Sequence, residues 1–309
     1  MKNLVLLRPG KEKGKNIFLI HAGNGEIQNY VLFSSHISPN VSCWAIRANR
    51  FKNHTPANRT IPMMAKQYVE IIKSVQPHGP YYIAGWCFGG IRAFEIASKL
   101  ESMGNEVRFL TMFNSHVPIT DLNKRVDMVM KYSLLTPNQS GFTIKSNFNE
   151  SSEKLLLKKW LGKTGINWDQ LEKIQHKKLW NSFIKEFSTK SKLTLIKTIK
   201  EDVPLDRALA IPYYESISLE KLLYYLAVMR TDANAQAFYK PKHKVNAKTY
   251  YFGAKESLVV DRENWNQYTA NPIVFKIVSG THFSIFHPGD VEPFAKDFNL
   301  ELMKYISYD

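Results

Sequence analysis

The sequence predicts an α/β fold built on a mostly parallel, doubly wound sheet. Short apolar segments rich in β-branched and aromatic residues recur along the chain. Segments with apolar residues at helical spacing lie between them, and the strand-like segments end in Gly or polar turns. Parallel strands need helical crossovers, and right-handed crossovers place helices on both faces of the sheet.

The predicted strands are continuous apolar runs, which is typical of strands that are buried on both faces. The sequence "KNIFLIHAG" is the first and runs into a Gly-rich turn, while "YYIAGW" lies near the middle. The predicted strands cover 15–23, 41–48, 81–86, 107–115, 248–254 and 271–280.

Three segments have clear helical periodicity. The segment 61–75 ends before Pro77, and the segment 89–104 ends at Gly104, a common helix stop signal. The third, "VEPFAKDFNLELMKYI", covers 291–306 and is the last predicted element.

The pattern changes between Pro118 and Lys240. Strand signals mostly vanish there, and Lys-rich helical segments replace them. We therefore predict one α/β domain over 1–309, with a helical insertion over 118–240 that leaves after one strand and returns before the next.

Composition is that of a globular protein. The chain has 309 residues, of which 44% are hydrophobic and 22% charged. No apolar run approaches the roughly 20 residues that span a membrane. The N-terminal sequence lacks the features of a signal peptide, so the expected location is cytoplasmic.

One segment of the insertion contributes much of the net charge of +15. The segment from Lys154 to Lys200 contains twelve lysines and three acidic residues, so its net charge is +9. These lysines alternate with apolar residues at helical spacing, as on the solvated face of an amphipathic helix. A more specific interpretation of these lysines is a docking surface for an acidic protein. Nucleic acid is disfavoured because no recognition motif accompanies the charge.

The chain has two cysteines, which is no disulfide framework. Cys43 lies in the apolar run "VSCWAIRA", and we expect it to be buried and inert. Cys87 is the centre of Gly-x-Cys-x-Gly in "GWCFGG", between a predicted strand and a predicted helix. This context is typical of a nucleophile elbow, whose following helix N-terminus favours a thiolate. The plainer alternative is a cysteine packed in a tight turn.

An elbow nucleophile needs backbone donors for an oxyanion. One is expected from Phe88, which follows the nucleophile, and one from the Gly-rich loop "HAGNGEIQNY", where we select Gly23. His21 ends the buried strand before this loop, and we expect it to shape the loop.

The general base is expected after the last strand. In "IVSGTHFSIFHPGDV", His282 directly follows the strand and a Gly-Thr turn, which is the expected position. His287 lies beside Pro288 and is interpreted as a loop residue before the last helix.

These motifs together resemble the thioesterase domains of nonribosomal peptide and polyketide synthases. The stretch "LVLLRPG…NIFLIHAGNG" resembles that family's opening strand and oxyanion loop. The stretch "GPYYIAGWCFGGIRAFEIASKLESMGNEV" resembles its nucleophile elbow and helix, and "VSGTHFSIFHPGDVEPFA" resembles its histidine segment. The resemblance implies an α/β-hydrolase fold in which 118–240 is the mobile lid.

The resemblance also implies the partner and the reaction. Such domains take an acyl or peptidyl chain from the 4'-phosphopantetheine arm of a carrier protein and release it to water, an internal nucleophile or another acceptor. Carrier proteins are commonly acidic, so we expect docking near the Lys-rich lid. We expect no bound cofactor, no metal ion and no membrane contact.

Two positions depart from the family pattern. Cys87 replaces a serine, and Asn114, 27 residues further on, stands where the family has its acid. The two changes are chemically coherent, because a Cys–His pair can already be thiolate and imidazolium and needs only orientation, which asparagine supplies in papain-like proteases. We predict the triad Cys87–His282–Asn114, with Asp261 as the reserve acid.

A cysteine nucleophile changes what the site does best. An acyl-cysteine is itself a thioester, so the acyl group stays activated for cyclisation or for transfer to a second carrier thiol. An acyl shuttle between carriers, a non-catalytic carrier-docking module and a simple ester hydrolase remain as alternatives.

Overall fold

The computed structural model describes residues 3–48, 60–119, 228, 231–232, 235–259 and 262–306. The sheet and the candidate site lie in one of two compact units of the chain, which comprises Met1–Asn49, Arg59–Leu122 and Ala235–Asp309. The predicted lid over 118–240 falls mostly outside the described residues, and it stays a prediction.

Seven strands form one sheet in the order β1-β3-β2-β4-β5-β6-β7. The strands are β1 (Leu4–Arg8), β2 (Asn16–Ile20), β3 (Ser42–Ile46), β4 (Tyr81–Trp86), β5 (Val107–Phe113), β6 (Lys248–Ala254) and β7 (Val274–Val278). Only β1 pairs antiparallel, with β3, and every other pairing is parallel. The predicted mostly parallel α/β sheet is therefore confirmed.

Four α-helices are described from end to end and accompany the sheet. They are α1 (Asn29–Ser35), α2 (Ile61–Val75), α3 (Phe88–Ser102) and α4 (Val291–Ile306). Helix α2 begins after Thr60, whose side chain accepts the Met63 N–H as an N-cap. Every helix in the described part of the chain is too short or too polar to cross a lipid bilayer.

One face of the sheet packs against α2 and α3. Strand β5 shows the alternation, since Leu110 and Met112 belong to this core. Ile91 and Phe94 of α3 meet them, all fully buried. Because side chains alternate along a strand, the residues between point to the opposite face.

The opposite face is an aromatic cluster. Phe113 of β5 has its ring 5.1 Å from Phe294 and 5.5 Å from Phe298 of α4. Phe33 of α1 stacks on Phe294 at 4.9 Å. Burial of these rings fixes α1 and α4 on the sheet, since each aromatic side chain removes about 150–250 Å² from water.

The strand order places the candidate site. After β2 the chain moves to one side, to β3, and after β3 it returns to the other side, to β4. The crevice at the carboxyl ends of β2 and β4 is therefore the topological switch point, where open α/β sheets bind ligands. The loop with Gly23 follows β2, and Cys87 follows β4.

Candidate active site

Cys87 occupies a sharp turn between β4 and α3. Its backbone angles are φ 56° and ψ −124°, a conformation that residues with a side chain rarely adopt. The turn is tight enough that a Cβ on Gly85 would collide with the carbonyl oxygen of Gly89. A Cβ on Gly89 would lie 2.6 Å from the carbonyl oxygen of His21. The glycines of the motif are thus required by close backbone approach, as an elbow demands.

The Tyr30 hydroxyl forms two hydrogen bonds to backbone groups next to the turn at Cys87. It donates to the Ile20 carbonyl at 2.7 Å and accepts the Trp86 N–H at 2.9 Å, so it joins the ends of β2 and β4. Burial raises the pKa of the Tyr30 phenol above its ordinary value, and negative charge on Cys87 raises it further, so the hydroxyl stays protonated. Sequence reasoning missed this residue, since nothing in "EIQNY" shows where its ring lies.

The two predicted oxyanion-hole residues are neighbours. A Cβ added to Gly23 would lie 2.8 Å from Cδ2 of the Phe88 ring. Phe88 begins α3, and the N–H groups of a first helical turn carry the positive end of the helix dipole. The loop after β2 and the start of α3 therefore meet beside Cys87.

His282 follows β7 through a turn at Gly280 and Thr281. The Trp86 indole N–H donates to the His282 carbonyl oxygen at 3.0 Å, and the two rings lie 5.1 Å apart. Trp86, which directly precedes Cys87, thus contacts the loop that carries His282. His287 lies further on, where its carbonyl oxygen accepts the Val291 N–H at the start of α4.

Asn114 follows β5 and contacts the His282 ring. It is fully buried and has φ 43°. Its Nδ2 lies 2.9 Å from Nδ1 of His282 and donates to the Ser257 carbonyl oxygen at 3.0 Å. Its Oδ1 accepts the Ala254 N–H at 3.3 Å. The amide nitrogen therefore faces the ring, whereas a papain-like arrangement would present the oxygen.

Asp261, the reserve acid, lies outside the described residues. Ser257, four residues earlier in the chain, accepts a hydrogen bond from Asn114 through its carbonyl oxygen. Among the residues that the structure describes, no group of three or more His, Cys, Asp or Glu could hold a metal ion.

His21 and Cys43 are both fully buried, and their contacts fit a structural role. His21 is fully buried, and its ring nitrogens lie 2.7 Å from the Tyr68 hydroxyl and 2.7 Å from the Ala22 carbonyl oxygen. Cys43 is also fully buried, as expected. Burial raises the pKa of its thiol to about 11, although Arg8 opposes the rise. A thiol with that pKa is a poor nucleophile at neutral pH.

The parallel sheet and the strained turn at Cys87 have the arrangement of the α/β-hydrolase fold. Residues 15–135 match the family model of the thioesterase domain. The predicted resemblance to thioesterase domains of nonribosomal synthetases is thereby confirmed, and the fold class with it.

Parts of two fungal synthetases are similar to part of this chain. Atromentin synthetase invA5 of Paxillus involutus is 38% identical over 111 residues, 36% of this chain and 12% of that protein. Nonribosomal peptide synthetase apvA of Aspergillus terreus is 41% identical over 98 residues, 32% of this chain and 10% of that protein. The chain thus matches only a small part of each synthetase, and some matching relatives are named inactive.

The Vlm2 thioesterase domain with a bound dodecadepsipeptide has a similar fold. It is 16% identical with a TM-score of 0.63, and the match covers 97% of this chain and 98% of that domain.

Proposed function

We propose that this protein is a thioesterase-family acyltransferase of peptide or polyketide biosynthesis with Cys87 as its nucleophile. Cys87 takes an acyl or peptidyl chain from the phosphopantetheine thioester of a carrier protein. It passes the chain on by cyclisation, transfer or hydrolysis. The observation that carries this proposal is the strained turn at Cys87, set beside a hydrogen-bonded Asn114–His282 pair.

The chemistry follows from the residues at the crevice. The thiolate of Cys87 attacks the carbonyl carbon of the carrier thioester, and the pantetheine sulfur leaves. Backbone N–H groups of Gly23 and Phe88 are the proposed donors to the oxyanion that forms. Because one thioester replaces another, the acyl group keeps its activation on the enzyme.

Mass spectrometry tests the nucleophile. Incubation with an acyl-pantetheine thioester should add one acyl mass, which fragmentation places on Cys87. The variant Cys87→Ala should lack the adduct, and Cys43→Ala is the matched control that should keep it. An adduct that persists in Cys87→Ala would contradict the proposal.

The non-catalytic docking module is the second candidate. The missing carboxylate at Asn114 favours it, and so do the matching relatives that are named inactive. Thiol alkylation separates the two candidates. A docking module predicts that Cys87 reacts with an alkylating agent as a thiol of ordinary pKa, about 8.5. The enzyme predicts a Cys87 thiolate already at lower pH, because of the helix N-terminus.

The proposed carrier contact is electrostatic. The segment from Lys154 to Lys200 carries +9, and carrier proteins of the family are acidic. Salt should therefore slow acylation from an acyl-carrier protein, since the screening length falls from about 10 Å at 0.1 M to about 3 Å at 1 M. Acylation from a small acyl-pantetheine is the control and should change little. Equal salt dependence for both substrates would contradict docking at this segment.

A further inference from the structure

Two backbone groups determine which end of the Asn114 amide faces His282. The Ala254 N–H points at Oδ1, and the Ser257 carbonyl oxygen accepts from Nδ2. If the amide were rotated by half a turn, its NH₂ group would face the Ala254 N–H and its oxygen would face the Ser257 carbonyl oxygen. Neither pair could form a hydrogen bond. Asn114 is fully buried, so water does not compensate for that loss.

The amide nitrogen is only a donor, and it has two hydrogens for two acceptors. One hydrogen goes to Ser257, and the other points at Nδ1 of His282 at 2.9 Å. A proton on Nδ1 would place two donors against each other. We propose that Asn114 holds His282 as a neutral imidazole with its proton on Nε2, so that the site passes acyl groups to thiols and is poor at activating water.

This proposal rests on the proposed function and names its acceptor. Hydrolysis of acyl-Cys87 requires a base that removes a proton from water during the attack. Nε2 already carries a proton and cannot serve as that base. The ring can instead donate from Nε2, which is suited to a sulfur anion. The thiolate–imidazolium pair expected from the sequence is thus replaced by a neutral donor.

Transfer between thiols needs no such base. The Cys87 thiolate attacks the carrier thioester, the new C–S bond forms, and the pantetheine thiolate leaves. An acceptor thiolate, such as a second pantetheine arm, then attacks acyl-Cys87, and the Cys87 thiolate leaves. Each step exchanges one thiolate for another, and thiol protons pass to and from solvent.

The tautomer is tested by nitrogen NMR on the resting protein with ¹⁵N-labelled histidine. The chain has nine histidines, so the His282 signals are identified by their loss in His282→Gln. Near neutral pH we expect an unprotonated Nδ1 and a protonated Nε2. A protonated Nδ1 in the wild-type protein would overturn the proposal. This measurement does not depend on Cys87 reactivity.

The lifetime of acyl-Cys87 tests the acceptor. After loading and removal of excess substrate, added pantetheine should discharge the wild-type protein much faster than buffer alone. In Asn114→Asp a carboxylate oxygen accepts from Nδ1–H, so Nε2 becomes free to act as a base. Discharge by buffer should then rise at least about tenfold, since a general base contributes 10²–10⁴-fold.

Outcomes for the two proposals differ. If wild-type acyl-Cys87 is hydrolysed as fast as in a folded Asn114→Asp, the tautomer proposal fails while the nucleophile stands. If Cys87 never accepts an acyl group, the proposed function fails, and the NMR result alone decides the tautomer. Asn114→Gln should lose the geometry without gaining hydrolysis, which distinguishes a new base from simple disruption.

Discussion

At the scale of single residues, Tyr30 supports the turn that carries Cys87, the proposed nucleophile. Its hydroxyl connects Ile20, at the end of the strand before the oxyanion loop, to Trp86, the residue before Cys87. Both partners are buried backbone groups. The phenol therefore adds a side-chain link to the pairing of β2 and β4, next to the turn that carries Cys87.

Removing that hydroxyl tests its role. In Tyr30→Phe, the Trp86 N–H and the Ile20 carbonyl lose their bridging partner. We expect the free energy of unfolding to fall by about 1–3 kcal/mol, the usual cost of an unsatisfied buried group. We also expect slower acylation of Cys87. Denaturant unfolding and the rate of adduct formation measure the two effects.

Tyr82→Phe is the control for this prediction. The Tyr82 hydroxyl donates to the Tyr305 carbonyl oxygen at 3.0 Å, at the end of α4 and away from the elbow. This variant should lose stability and keep its acylation rate. An unchanged acylation rate in Tyr30→Phe would show that the bridge serves stability alone.

At the scale of elements, the loop between β7 and α4 is shaped by its own side chains. The Ser284 hydroxyl donates to the Asp290 carboxylate at 2.7 Å and accepts the Thr281 N–H at 2.8 Å. The Ser284 N–H in turn donates to the Thr281 hydroxyl at 3.1 Å. These bonds join residues on both sides of His282 in the chain, so they hold the loop that carries it.

Loss of this network should displace His282. In Ser284→Ala, the Thr281 N–H loses its acceptor and Asp290 loses a donor. We expect acyl turnover to fall roughly tenfold to 100-fold with little change in KM, because small misplacements of a catalytic group carry such costs. Steady-state kinetics measure this change.

Two further variants test whether the lost hydroxyl is the cause of that change. Ser284→Thr keeps the hydroxyl and should restore most of the rate. Ser35→Ala removes an exposed serine hydroxyl that bonds within α1, and it should have no effect. A fall in kcat for Ser284→Thr equal to that for Ser284→Ala would argue against the hydrogen bonds as the cause.

Elements with strong patterns were predicted from periodicity, whereas two short elements have weak patterns. Strands β2 and β4 are buried along their whole length. Their continuous apolar runs therefore indicated strands that are covered on both faces. Helix α1 has seven residues, too few to establish a helical period. Strand β1 is an edge strand with an exposed Leu6, so its pattern is weaker.

At the scale of the whole molecule, Glu301 ties the last helix to the far edge of the sheet. Its carboxylate accepts from Lys276 of β7 at 2.9 Å and from Lys304 at 2.7 Å. Burial raises the pKa of Glu301, but hydrogen bonds from Lys304, Lys276 and Tyr250 outweigh burial and lower that pKa to about 2. The charged form is therefore favoured by folding.

This shift makes stability depend on pH in a defined window. The folded pKa lies below the ordinary value of 4.5, so the contribution of Glu301 is present above pH 4.5 and is lost as pH falls towards 2. We expect Glu301→Gln to be less stable than the wild-type protein at pH 6. The difference should shrink steadily below pH 4.5.

Urea unfolding of both proteins across pH 6 to about 2.5 measures the difference. Other carboxylates titrate in both proteins and cancel in the comparison. Glu256→Gln is a suitable control, because this carboxyl is exposed in the loop after β6, and its variant should follow the wild-type curve. A constant difference between wild type and Glu301→Gln would contradict the assigned shift.

The local sequence determined the α/β class, the elbow at Cys87 and the positions of His282 and Asn114 at strand ends. It could do so because glycine spacing and apolar runs are local consequences of tight turns and buried strands. Only the tertiary structure decided how these distant positions meet. The bridge from Tyr30 depends on backbone groups of Ile20 and Trp86. The direction of the Asn114 amide depends on backbone groups of Ala254 and Ser257, which lie more than 130 residues away in the chain. Hydrogen-bond direction is set by whichever donors and acceptors the fold brings together, and no local pattern of residues records them.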